Sequence, residues 1–401
     1  MNQQTSPPDI AEAAPPSVPF FRHALNAGEA QKVAAVLGTP ILTSGQVGRD
    51  VEAQLCDYFG AAHAKLTNSW TNGAVAVLLA LGIGPGDEVI VPAMTFIASA
   101  NVVELVGATA VFVDVDPETL LMDLDAIAAA RTPKTKAIIP VHLYGQMIDM
   151  RRLRAIAGPE IFLIEDCAHA FESALKGARP GALSDAAIFS FYATKNVTCG
   201  EGGAIISNDA ALMAEIRQTI LHGMSAGADK RFEGALYRHW EMERLGTKAN
   251  LPDLLACLLP DQIASVGERR EIREALVARY RAAFAETPGM TMVRPVSGGT
   301  SAHHLFAIAA PFGARDRVMH GLNTAGIGAT VNYRAVPTMG YYQAKYAHPP
   351  ERFPNAYNWG ERTLSLPLFP GLTEAEQARV IDAVAAIFGA LDLSAEDRIA
   401  T

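Results

Sequence analysis

Cysteine is scarce in this 401-residue chain. Cys56, Cys167, Cys199 and Cys257 lie far apart, with no CxxC pair and no zinc-ligand spacing. That pattern excludes a disulfide-stapled scaffold and gives no metal site; free thiols in a reducing compartment are expected. Basic runs are also missing. With a net charge of −9 and no dense Lys/Arg stretch, the chain offers no footprint for a phosphate backbone, so a general nucleic-acid binder is excluded. No apolar stretch reaches the roughly 18–20 residues needed to span a bilayer. The opening segment MNQQTSPPDIAEAAPPSVPFF lacks a basic n-region and an apolar h-region, so it does not read as a secretory signal. Its prolines and small polar residues predict a mobile arm over residues 1–19. A cytoplasmic protein with no membrane association is expected.

What the chain does have is core. Half of its residues are hydrophobic and 19% are charged, which excludes wholesale disorder. From residue 65 to about 206, short apolar runs at 65–67, 88–92, 110–115, 136–142, 161–165, 186–191 and 203–207 alternate with helical segments at 72–81, 96–105, 123–130 and 149–156. This βαβ rhythm predicts a mostly parallel sheet covered on both faces. Further helices are expected at 211–222, within 252–287 and at 374–391, and a polar, aromatic loop over 225–244. Residues from about 290 onward read as a smaller α/β unit. We therefore expect a large domain over 20–265 and a small C-terminal domain over 266–401.

Four local features could converge at the carboxyl ends of the strands, where open α/β sheets bind ligands. FSFYATKNVTCGEGG (189–203) places Lys195 between an apolar strand and a glycine-rich turn, with Ser190 before it. Alone, this lysine reads as one that reaches solvent along its own stem. NSWTNG (68–73) opens a helix. Thr71 offers a hydroxyl there, and the amides of Thr71, Asn72 and Gly73 an anion site, although an ordinary N-cap fits the same residues. IFLIEDCAHA (161–170) ends an apolar strand in two acids, with His169 three residues beyond Asp166. A carboxylate there is costly unless a cation meets it. MTFIASAN (94–101) sets Phe96 at a helix start, as core or as a stacking platform. Together the parts match a ligand with a phosphate, a ring nitrogen that needs an acid and an aldehyde that needs an amine. That ligand is pyridoxal 5′-phosphate (PLP), which requires a lysine and a carboxylate at its ring nitrogen.

The phrases GIGPGDEVIVPAMTFIASAN, GATAVFVDVD, TKAIIPVHLYGQ, EDCAHA, FSFYATKNVTCGEGGAIISND and LSLPLFPGLT occur in this order from about residue 40 to 388. In them the chain resembles the DegT/DnrJ/EryC1/StrS family of nucleotide-sugar aminotransferases. The EDxAHA and FSFxxxKNxTCxEGG forms are most similar to the enzymes that aminate UDP-4-keto-arabinose. The resemblance implies an α/β fold of fold-type I, the aspartate aminotransferase-like fold of PLP-dependent transferases. It implies transfer of an amino group from L-glutamate to a keto group, at C4, of a nucleotide-linked sugar, for surface polysaccharide, lipid A or glycosylated-metabolite synthesis. It also implies Lys195 as the Schiff-base lysine, Asp166 as partner of the pyridine nitrogen and His169 against the cofactor. Phe96 takes the ring-stacking position, and Thr71, Asn72 and Ser190 the phosphate positions. Asn250 reaches the phosphate of a neighbouring subunit, which makes a homodimer the functional unit.

Two departures stand out. Relatives usually have SGT or SAT where this chain has Ser69-Trp70-Thr71, and the Pro-x-His phrase of many relatives is NYRAVPT (332–338) here, without the histidine. Asn332, Tyr333 and Arg334 are candidate sugar or nucleotide contacts. The alternatives are a C3 sugar aminotransferase, a PLP-dependent sugar dehydratase, an amino-acid lyase or decarboxylase, and a non-catalytic regulatory relative. The dehydratases replace the lysine with histidine, and Lys195 argues against them.

Overall fold

The apolar runs of the first half assemble into one sheet in the computed structural model, which describes residues 17–225 and 239–392. Its strands are β1 (His63–Thr67), β2 (Glu88–Pro92), β3 (Thr109–Val113), β4 (Thr135–Ile138), β5 (Phe162–Asp166), β7 (Ala186–Ser190) and β8 (Gly203–Ser207), in the order β1-β8-β7-β5-β4-β2-β3. A two-residue strand, β6 (Ala174–Leu175), lies outside it. Pairing is parallel from β3 through β7. Only β8 is reversed, antiparallel to both β7 and β1. Strands β2, β5, β7 and β8 are buried almost throughout, because helices cover both faces.

The helices follow their local signals. Helix Trp70–Ala80 starts where Ser69 Oγ accepts the Asn72 amide at 3.0 Å. Helix Met150–Ala157 is capped by Asp149 and helix Ala210–Thr219 by Asp209. Helix Glu374–Gly389 carries a full capping box of Thr373 and Glu376.

The later half adds β9 (Thr291–Met292), β10 (Gly299–Thr300), β11 (Phe306–Ala309) and β12 (Thr363–Leu366). A second sheet has the order β12-β11-β9, and β10 pairs with β6 of the first half. The long helix Val266–Phe284 and helix Glu374–Gly389 share one apolar cluster with this second sheet, through Tyr280, Phe284, Val380, Val384 and Phe388. Among the described residues no helix is long and apolar enough to cross a membrane.

Two expectations need correction or limits. The mobile arm was expected to run to residue 19, yet Val18 is fully buried in that same cluster. Its N–H donates to Gly326 O and its carbonyl accepts from Gly328 N, each at 2.9 Å. An apolar side chain with a free pocket and two backbone partners outweighs the flanking prolines. Residues 1–16, and most of the loop expected over 225–244, lie outside the described residues.

One close approach fixes the site end of the sheet. A Cβ on Gly203 would sit 2.8 Å from Phe189 O, Ser69 C and Trp70 N, all backbone atoms. The start of helix Trp70–Ala80 can therefore touch β8 only because residue 203 has no side chain. Gly203→Ala should destabilise the protein by about 1–3 kcal/mol through overpacking, read as a lower midpoint in urea unfolding. An unchanged midpoint would mean that this contact relaxes freely.

Candidate active site

The carboxyl ends of β1, β2, β5 and β7 open on a cavity of about 620 Å³. Strand alternation sorts the two acids that end β5. Glu165 faces away and is held by His142. Ile148 N–H donates to His142 Nδ1 at 3.2 Å, so in the neutral ring the proton is on Nε2 and is donated to Glu165 Oε2 at 2.6 Å. Glu165 Oε1 also accepts from Gly181 N at 2.8 Å and from Ser184 Oγ. His142, Glu165 and Cys167 bring their ligand atoms within 4.8 Å of one another. Those carboxylate oxygens and ring nitrogens are already engaged, so the cluster reads as a brace under β5.

Asp166 faces the cavity and is only 5% exposed. Its Oδ2 accepts from Ser99 Oγ at 2.8 Å and its Oδ1 from Ala168 N at 3.1 Å. Burial pushes its pKa up; the Ser99 and Ala168 hydrogen bonds and the charge of Lys195 oppose that push. Lys195 lines the same cavity from the turn after β7, which its own N–H closes onto Tyr192 O at 2.9 Å. Gly200, at φ +86°, supplies the left-handed residue that returns the chain to β8. Burial lowers the lysine pKa to about 8, against a smaller upward pull from Asp166. An amine whose charge is disfavoured thus shares a cavity with a carboxyl whose charge is disfavoured.

The wall beyond them is aromatic and polar. His169 is buried, and burial, then the charge of Lys195, hold its pKa well below the usual histidine range. Its Nδ1 accepts the Tyr144 amide at 3.2 Å and its Nε2 meets Tyr333 Oη at 3.1 Å. Its ring lies 4.2 Å from that of His304. Phe96 is 54% exposed, its ring 5.7 Å from Tyr333. Thr71 and Ser190 are on the wall too.

Two of the expected residues are placed elsewhere. Asn72 gives its amide to Ser69 Oγ, and its side chain donates to Asn68 Oδ1 at 2.9 Å. Gly73 N is used by Ser69 O at 3.1 Å. Of the amides of Thr71, Asn72 and Gly73 expected to bind an anion, Ser69 takes the last two; those of Trp70 and Thr71 are the first two of the helix, where N–H groups lack an intrahelical acceptor. Asn250 is outside the cavity and donates to Ser44 Oγ at 2.6 Å. Trp70, the unusual residue, is 6% exposed on the cavity wall, and its Nε1 has no partner among the described residues.

Sequence reasoning missed Ser99 and His304. Ser99 was legible as the one hydroxyl on the buried face of an apolar helix start. His304 had only the pair His303-His304 before β11 as a signal. His304 donates from Nδ1 to Asn196 Oδ1 at 3.1 Å. The Asn196 amide in turn donates to Ala302 O and to Glu172, which is ion-paired with the buried Arg273.

The model of the DegT/DnrJ/EryC1/StrS aminotransferase family matches residues 23–385. SpsC of Bacillus subtilis, a spore coat polysaccharide biosynthesis protein, is 37% identical over 373 residues, 92% of this chain and 96% of SpsC. DesV of S. venezuelae, solved in complex with a ketimine intermediate, is 33% identical with a TM-score of 0.87, covering 94% of this chain and 100% of DesV. The PLP form of Spr1654 from Streptococcus pneumoniae is 28% identical with a TM-score of 0.86, covering 93% of this chain and 99% of that one. The chain therefore belongs to the DegT/DnrJ/EryC1/StrS aminotransferase family and is a PLP-dependent sugar aminotransferase of fold-type I.

Proposed function

We propose that this enzyme moves an amino group from L-glutamate to the C4 keto group of a nucleotide-linked sugar. The likeness to SpsC, a spore coat polysaccharide biosynthesis protein, supports a role in surface polysaccharide synthesis. The observation that carries the assignment of the site is the half-buried amine of Lys195 sharing one cavity with the buried carboxyl of Asp166.

These residues fit PLP. The amides of Trp70 and Thr71 open an 11-residue helix at the cavity edge, where an anion is favoured by the N–H groups and the helix dipole. Thr71 and Ser190 add hydroxyls for the phosphate. Phe96 offers a ring face, and His169 lies against the pyridine side. Asp166, raised by burial, returns to the carboxylate range once the protonated ring nitrogen lies against it, because an adjacent cation favours the charged form. Lys195 would hold the cofactor covalently through Nζ. Bound PLP supplies the electron sink that delocalises the charge left when an amino acid loses its α-proton.

The chain's own groups do the rest. Lys195 Nζ, once released, would carry a proton from the donor Cα to the cofactor in the first half-reaction and from the cofactor to the acceptor carbon in the second. Only the neutral amine can act as that base, and burial lowers the pKa in the required direction. Asp166 would keep the ring nitrogen protonated, and Ser99 fixes its carboxyl. His169 stays neutral, so it orients by hydrogen bonding and adds no charge. Asn250 and Asn72, away from this chain's own cavity, are read as serving the phosphate of a second copy and the turn before it respectively. A homodimer is thus the functional unit in this reading.

The purified protein should be yellow, and L-glutamate should bleach it. Lys195→Ala should lose the colour and cut turnover by at least about 10²–10⁴-fold. A colourless variant that still transaminates contradicts the assignment.

The lysine also predicts a stability profile. Burial lowers its folded pKa to about 8, against 10.5 for a lysine in water. Between those values the unfolded chain holds a proton that the folded chain has released, so the stability of PLP-free protein rises with pH across that window. Below it the full cost is present, on the order of 3 kcal/mol at 1.36 kcal/mol per pKa unit. PLP-free Lys195→Met should therefore unfold at higher urea than PLP-free wild type at pH 7, and the gap should close above pH 10. A lower midpoint for the variant at pH 7 would contradict the burial cost.

A further inference from the structure

Two neighbouring polar groups on the cavity wall have bonding capacity that the chain itself does not use. Asn332 lines the cavity, and its Oδ1 is buried with no hydrogen-bond partner among the described residues. A buried acceptor left unpaired is costly, so such an atom at a binding site marks where a donor is expected.

The next residue, Tyr333, has the complementary capacity. The Tyr144 amide donates to His169 Nδ1 at 3.2 Å. His169 is neutral, so its single ring proton lies on Nε2. Nε2 therefore donates to Tyr333 Oη at 3.1 Å, and the phenol is the acceptor in that bond. Burial pushes the Tyr333 pKa up, so the phenol keeps its own proton. The side-chain amide of Asn332 lies close enough to this oxygen to offset part of that shift. The phenolic proton has no acceptor among the described residues. The ring itself is held in place, 5.7 Å from Phe96 and 5.9 Å from His169.

The cavity thus shows a lone pair at Asn332 Oδ1 beside a proton at Tyr333 Oη. A carboxylate satisfies only the proton, and an ammonium satisfies only the lone pair. A hydroxyl satisfies both at once. We propose that Asn332 and Tyr333 together bind one hydroxyl of the acceptor sugar, which donates to Asn332 Oδ1 and accepts from Tyr333 Oη, and so select acceptors that carry it. This rests on the reading of the Lys195 cavity as the sugar aminotransferase site. It adds that these two residues set acceptor specificity, since a site built to pair a hydroxyl rejects the analogue that lacks it.

The test separates the two half-reactions of the PLP-loaded protein by absorbance. L-glutamate first bleaches the enzyme. The keto sugar nucleotide that best restores the colour is then compared with analogues each lacking one ring hydroxyl. For one analogue, wild type should prefer the intact sugar, and that preference should fall about 10–100-fold in Asn332→Ala and in Tyr333→Phe. Tyr333→Phe keeps the ring packing, so it guards against a folding artefact in the other variant. Preference kept at the wild-type level in both variants, or activity lost equally towards intact and deoxygenated sugars, would overturn the proposal. Wild type that glutamate fails to bleach would overturn the donor assignment instead, and the glutamate step in each variant reports whether Lys195 and the cofactor remain assembled.

Discussion

The site is organised around the burial of one amine. A lysine that is to act as a base near neutral pH has to be kept uncharged, and the means available is removal from water. Burial of Lys195 is a tertiary property. It needs β7 to end inside the fold, a turn that folds back onto Tyr192, and a residue at positive φ, Gly200, to return the chain into β8. It also needs β8 to run against its neighbours, which brings Gly203 beside the start of helix Trp70–Ala80. One reversed strand therefore places the amine and the start of helix Trp70–Ala80 at the same end of the sheet.

A half-buried amine sharing a cavity with a buried carboxyl is poorly stable by itself. The structure answers with fixed neutral partners in place of further charge. Ser99 and Ala168 bind the Asp166 carboxyl, His169 and His304 are held neutral by burial, and each ring is fixed in one tautomer by a named neighbour. The charged pair that does exist nearby, Glu172 with Arg273, lies behind Asn196 and ties the lysine turn to helix Val266–Phe284.

Much of this was legible in the sequence, for physical reasons. The apolar runs at 88–92, 161–165 and 186–191 can only be buried strands, and the polar residues that end them, Asp166 and Ser190, had to face either solvent or a site. Lys195 was ambiguous alone and became informative only beside Asp166 and the helix start at residue 70. Strand order was not legible, because β8 inserts between β1 and β7 through contacts distant in sequence. Nor was the choice of amides at the helix start, which depends on Ser69 capping Asn72. Val18 was misread because composition reports flexibility of a free chain, not the pocket that receives it. His304, Asn196 and Arg273 come together only when residues some 30 to 110 apart in sequence are packed, and no local pattern encodes that.

Which lysine carries the cofactor decides the chemistry of the site. Borohydride reduction of the PLP-loaded enzyme, followed by peptide mapping by mass spectrometry, reads this directly. The pyridoxyl label should be found on Lys195 within FSFYATKNVTCGEGG. A label on any other lysine, with Lys195 unmodified, would contradict the account.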